Sequence, residues 1–248
     1  MTWTLGPDQF ALAWDRTVGD RIPYPLAVRL SARDSVERGA QLPGLRAWCD
    51  TTLDADLEAA LRVLAAPEVS VEVFGQDGDG ATTVRILGAS AGRIAVVAAQ
   101  GPGPLPDRGG ELRIGATAAA SLPGRVIAAL PPAPPGTGER LRAPRSEVVL
   151  DGRDRVTVPV SGPTVPSRMR RRLKQRRSGI GQIVVSVRRG AEVKPFGVLC
   201  WIDIADDGRY TVHTGRDVEI APVGAEAFTN SLRPMVAAAQ RAVAYAGL

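Results

Sequence analysis

The sequence predicts an α+β protein built from antiparallel meanders, with a quasi-twofold duplicated architecture. Two observations carry this. Strand patterns follow one another directly, joined by short Gly-rich loops, with helical patterns before and after each group; alternating βαβ units would interleave a helix between strands. The order also recurs, because each half of the 248 residues reads helix, about four strands, helix. The halves share order and not sequence.

In the first half, a short TWTL segment precedes a helix pattern from Pro7 to Arg16, with Phe10, Ala13 and Trp14 on one face. IPYPLAVRL (22–30) reads as a proline-stiffened turn and a short strand, and ARDSVERGAQLPGLRAW (32–48) as a broken helix. Asp54 to Ala65 is a clearer helix: Leu57, Leu61 and Leu64 form a stripe, and Asp54, Asp56 and Glu58 crowd the positive end of its dipole. VSVEVF (69–74) alternates Val69, Val71 and Val73 with Ser70 and Glu72, and QDGDG (76–80) has the glycines of a hairpin turn. TVRIL, RIAVVAA and ELRIG are further strands, and a helix runs to about Leu130.

PPAPPGTG (131–138) is the strongest breaker in the chain. It divides an N-terminal half (1–138) from a linker (139–165), in which SEVVL and VTVPV are candidate short strands, and from a C-terminal half (166–248). That half begins with a helix over about 166–177. IGQIVVSVRR and FGVLCWIDI follow as strands, the second apolar on both faces except for Asp203 and so read as central. RYTVHT and DVEIA complete the meander. The closing helix places Phe228, Leu232, Met235 and Ala239 on one stripe, and Pro234 is expected to kink or split it.

The formal net charge is +5, but it is local: ten Lys or Arg and one acid between Pro166 and Pro195 amount to +9, which leaves the rest at −4. The core of this excess is Arg168, Arg170, Arg171, Arg172, Lys174, Arg176 and Arg177. Such a run is a solvated helix face or a nucleic-acid contact. It has only Met169 and Leu173 as an apolar anchor and no aromatic within ten residues to stack on a base, so the solvated structural helix is the preferred reading. A membrane-surface helix would need a broad apolar face.

Catalytic constellations are scarce. The single histidine, His213, lies in a strand, and no Cys/His spacing suits a metal. A nucleophile elbow and a phosphate-binding loop are both missing. Asp77 with Asp79, and Asp206 with Asp207, read as turn formers. Cys49 and Cys200 make no disulfide framework, and Cys200 reads as an inert thiol in an apolar strand. No apolar run reaches the length of a membrane span, and the opening residues read as an acid-bearing amphipathic helix, so a cytoplasmic setting is expected, with no cofactor or metal. One feature points to a contact surface. If Phe196, Val198, Cys200 and Ile202 face the core, then Leu199 and Trp201 are partly exposed on a sheet, as at a protein-binding patch; the competing reading has helices covering both faces.

LEAALRVLAAP (57–67), ALPPAPPG (129–136) and GQIVVSV (181–187) followed by WIDIADDGRY (201–210) are generic singly. In this order and spacing they resemble the EspG-type ESX secretion-associated family across nearly the whole chain. The resemblance implies a non-enzymatic cytosolic chaperone of type VII (ESX) secretion. Such a chaperone binds the tip of a PPE protein in a PE–PPE heterodimer, keeps it soluble and directs it to the ESX machinery. It also implies a quasi-twofold α/β unit with a central sheet flanked by helical bundles. The family's partner surface combines a mobile hairpin loop of the first half with the sheet and helices of the second. By position in the order these are Gly75–Thr82, with Gln76, Asp77 and Asp79, and a patch of Leu199, Trp201 and Arg209. The oligomeric state is left open, including a homodimer.

Overall fold

In the computed structural model, which describes residues 1–19, 21–78, 80–105, 107–150, 162–190 and 192–246, the chain opens with a short strand, β1 (Thr2–Leu5). Three helices follow: α1 (Pro7–Thr17), α2 (Ser35–Thr52) and α3 (Ala55–Ala65). Side chains that take up the free N–H groups of a first turn set their starts. Asp34 accepts from the Glu37 N–H at 2.8 Å, and Asp54 from the Leu57 N–H at 2.7 Å. At α1, Pro7 brings a preset φ, and the Gly6 N–H donates to Gln9 Oε1 at 2.8 Å.

The first meander is β2 (Val69–Asp77), β3 (Thr82–Ala91), β4 (Ile94–Gln100) and β5 (Leu112–Ala118), closed by α4 (Leu122–Ala128). The second half repeats the pattern: β6 (Leu141–Pro144), α5 (Arg145–Leu150), α6 (Val165–Leu173), then β7 (Arg177–Arg189), β8 (Glu192–Ile204), β9 (Gly208–Thr214) and β10 (Asp217–Pro222), closed by α7 (Ala225–Ala246).

Several expectations are corrected. IPYPLAVRL forms no strand: Pro23 and Pro25 have no N–H to give a ladder, and the Gln100 side chain instead holds both backbone groups of Ala27, at 2.8 and 3.1 Å. Helix α2 is unbroken through Pro43, and α7 is not split at Pro234. In each case the residue four positions earlier, Gly39 or Asn230, is exposed, so water can take the freed carbonyl. SEVVL is helical, because Val148 packs with the second bundle, an instance of tertiary contacts overriding strand propensity. VTVPV lies outside the described residues. The basic helix stops at Leu173, and Arg177 already opens β7.

Among the described residues, ten strands form one antiparallel sheet in the order β1-β5-β4-β3-β2-β7-β8-β9-β10-β6. The halves meet at β2 and β7, which pair from Val69↔Val187 to Asp77↔Gly179. In each half the leading short strand returns to pair with the last strand of the meander, β1 with β5 and β6 with β10. The stretch expected as a linker therefore supplies an edge strand to the second half.

On one face, α4 and α7 cover the centre of the sheet, packing on Val71, Val73, Ile183, Val185 and Trp201. On the opposite face, α1–α3 cover the first half over Leu5, Leu87, Val96 and Ile114. Helices α5 and α6 cover the second half over Leu141, Ile202, Tyr210 and Ile220. Central strands β2, β7 and β8 lie between these two bundles.

The proline-rich segment is a strap around the β8–β9 end. The Pro131 carbonyl accepts from Arg209 Nη2 (3.0 Å) on the α7 side of the sheet. The Gly138 N–H donates to Tyr210 Oη (2.8 Å) on the α6 side. Between them, the Arg209 N–H donates to the Pro134 carbonyl at 2.7 Å, and the Arg209 carbonyl accepts from the Gly136 N–H at 3.0 Å. Proline cannot donate to a ladder, but its carbonyls can accept, and the strap uses them so.

Candidate partner-binding groove

Strand register defines a groove between the two bundles. Side chains of paired residues point to the same face. Phe74, Gln182, Cys200 and Val212 form one row across β2, β7, β8 and β9; Gln76, Ile180, Ile202 and Tyr210 form the next. Leu173 and Arg177 close the α6 end, and the open groove has a volume of about 450 Å³, within the range of clefts that bind side chains or small ligands. At the other wall Phe74 carries the Tyr24 ring at 5.7 Å, with the Arg85 guanidinium 5.9 Å from its centroid. The lining is mainly apolar, with Ile180 38% exposed, and one row beyond Cys200 on the same face of β8 Val198 is 44% exposed.

Leu199, Trp201 and Arg209 do not form an exposed patch. They are 6%, 1% and 5% exposed, on the opposite face beneath α7. The face assignment of β8 is inverted relative to the condition under which they would be exposed. The cause is steric. Gly75 and Gly181 are opposite one another at the seam of the halves, and an added Cβ would lie 3.0 Å and 2.1 Å from the Trp201 ring. These two glycines leave the space that the indole fills. Gln76 is exposed on the groove, Asp77 ends β2, and Asp79 lies outside the described residues. Half of the expected hairpin loop is strand, since Gly75–Asp77 pair with Thr82–Val84. Ile180, Gln182, Ile202 and Val212 were not singled out as site residues by sequence; their signal is the face opposite those glycines.

Much of the basic run is tied into the fold. Arg168 pairs with Glu139, the Arg172 guanidinium sits 4.8 Å from the Tyr210 ring centroid, and Arg177 Nη2 donates to the Leu173 carbonyl. Arg170 is half-buried, and Arg176 is exposed where the run leads into β7. Arg171 and Lys174 point outward from the end of α6.

Burial pushes the Cys200 thiol up, so it is neutral at physiological pH and a poor nucleophile. Burial also pushes up the Glu72 carboxyl, one row beyond Phe74, against the smaller opposing effect of the Ser70 hydroxyl. A carboxyl with a folded pKa above its unfolded value adds full stability below the ordinary carboxylate range and loses it as pH rises through the folded pKa. Glu72→Gln is therefore expected to raise the melting temperature at neutral pH, and the gain should vanish in acid below that range. A pH series of melting curves checks the sign.

Among the described residues, no helix is long and apolar enough to cross a membrane. A search of curated proteins finds no match. The fold matches the solved structure of the Mycobacterium tuberculosis type VII secretion system chaperone EspG5 in complex with a PE25–PPE41 dimer, at 15% identity and a TM-score of 0.62. The match covers 94% of this chain and 95% of that one. The EspG family profile matches residues 6–233, nearly the whole chain, and the chain belongs to the EspG family.

Proposed function

We propose that this chain is a cytoplasmic chaperone of type VII secretion that holds the tip of a PPE protein, presented by a PE–PPE heterodimer, in the groove over β2, β7 and β8. The observation that carries this reading is the mainly apolar strip left uncovered between the helical bundles, with Ile180 and Cys200 in its lining and Val198 one row beyond on the same face of β8. A secretion substrate that exposes apolar side chains before export would self-associate. Masking them requires an apolar concavity with a polar border, and no bond is made or broken. The chaperone role is therefore non-enzymatic, with delivery to the ESX machinery following capture. Nothing favours the nucleic-acid reading of the basic run, in which Arg168 and Arg172 are engaged within the fold.

Co-expression with PE–PPE pairs, followed by affinity capture and size-exclusion chromatography, should yield a stable three-component complex with a cognate pair. Ile180→Glu, which puts a charge into the apolar lining, should weaken that complex at least ~30-fold, with a smaller loss for Val198→Glu one row beyond, while both leave the melting temperature close to wild type. Occupancy of the groove should also shield Cys200 from alkylation, whereas Cys49, 1% exposed, is protected throughout. Failure of every pair to bind, or full affinity in both charge variants, would overturn the assignment.

A further inference from the structure

Between its ends the groove is mainly apolar, with the uncharged Gln76 and Gln182 among its lining, and its charges lie at the ends. At the α6 end Arg177 lines it, half-buried, and commits one Nη to the Leu173 carbonyl. A guanidinium carries five N–H donors, so donors remain for an occupant. An apolar segment laid over this end would strip water from a charged group and return nothing, a desolvation cost that a matching acceptor removes. Just outside, Arg171 and Lys174 extend the same sign of charge into solvent, within a stretch that has ten basic residues and one acid between 166 and 195. At the other end, Glu72 follows Phe74 on the same face. The charges give the groove a direction.

Resting on the chaperone reading, we infer that the groove selects a client segment whose apolar side chains are flanked by a carboxylate, and that this carboxylate pairs with Arg177. Arg177 is a specificity determinant, and Arg171 with Lys174 form the steering field for the acidic flank. A planar guanidinium donates two parallel hydrogen bonds to a carboxylate, a pairing that a carbonyl or an amide cannot match in charge. Contact at Arg177 acts after docking and so governs dissociation, whereas the exposed pair acts during approach and governs association.

The test uses the full-length chain with the PE–PPE pair it retains in co-expression, by stopped-flow or surface-based kinetics over a salt series. Arg177→Gln should raise the dissociation rate ~30-fold or more, with Arg177→Lys restoring part of it. Arg171→Glu with Lys174→Glu, on exposed positions that leave folding alone, should lower the association rate ~10-fold and flatten its salt dependence, with the dissociation rate unchanged. Replacing the client's flanking acids by Gln should reproduce the Arg177→Gln loss and make the two changes non-additive. A retained pair whose kinetics ignore both salt and all these variants would overturn the inference and leave the chaperone reading standing. A wild-type chain that retains no pair would overturn both.

Discussion

Trp201→Ala is expected to lower the unfolding free energy by about 3–5 kcal/mol, the cost of emptying a large aromatic site in a packed core. The indole is 1% exposed and lies edge-on to Phe228, with ring centroids 6.4 Å apart. It spans the seam between the halves, over Gly181 and Gly75, and faces the Arg209 guanidinium at 6.0 Å. Few atoms can collapse into the void, because the sheet beneath it is glycine backbone. Urea denaturation checks this, and a loss under ~1 kcal/mol would contradict it. The same geometry predicts a dependence between sites. Gly181→Ala places a Cβ 2.1 Å from the ring and should cost about 1–3 kcal/mol by overpacking. In the Trp201→Ala background that cost should largely disappear, since the clashing partner is gone. A Trp201 variant therefore reports first on the packing of the seam.

The strands with one apolar and one polar face were legible. Val69, Val71 and Val73 alternate with polar neighbours, and they fall in β2 on the α7 side as that alternation requires. The duplicated order was legible too, because helix and strand periods differ. Edge strands β1 and β6 were harder: each has only four residues, and each forms by pairing with a distant strand, β5 or β10. In β8 the pattern could not choose a face. Phe196, Val198, Cys200 and Ile202 are as apolar as Leu199 and Trp201, so alternation fixed the two sets without saying which is covered. Shape decided it, through Gly75 and Gly181 beneath the indole and through Gly197, where an added Cβ would lie 2.7 Å from Met235 Sδ. Those glycines belong to three different strands, and their joint meaning appears only once the register is known. Gln76 fell on the groove because a hairpin end was traceable by turn residues, whereas the apolar lining had no polar landmark to reveal it.

Asp203→Ala and Arg209→Ala should each destabilise the protein by about 3–5 kcal/mol, because either change strands an uncompensated charge in the core. The pair is bidentate, with Nε to Oδ1 at 2.7 Å and Nη2 to Oδ2 at 2.8 Å, and the residues are 5% exposed. Removing both charges together, as in Asp203→Leu with Arg209→Met, should recover a large part of the loss, since much of the single-variant cost is the remaining ion and not the missing bond. What the double variant should not recover is the grip on the strap. Arg209 Nη2 also donates to the Pro131 carbonyl at 3.0 Å, and methionine has no donor for it. The strap would keep its backbone bonds at Pro134 and Gly136 and lose its anchor on the α7 side. Limited proteolysis should thus cut within 131–138 faster in the double variant than in wild type at equal global stability, separating local release of the strap from unfolding. Equal cutting rates would mean that the backbone bonds hold the strap unaided, and that the ion pair serves only the core beneath Trp201.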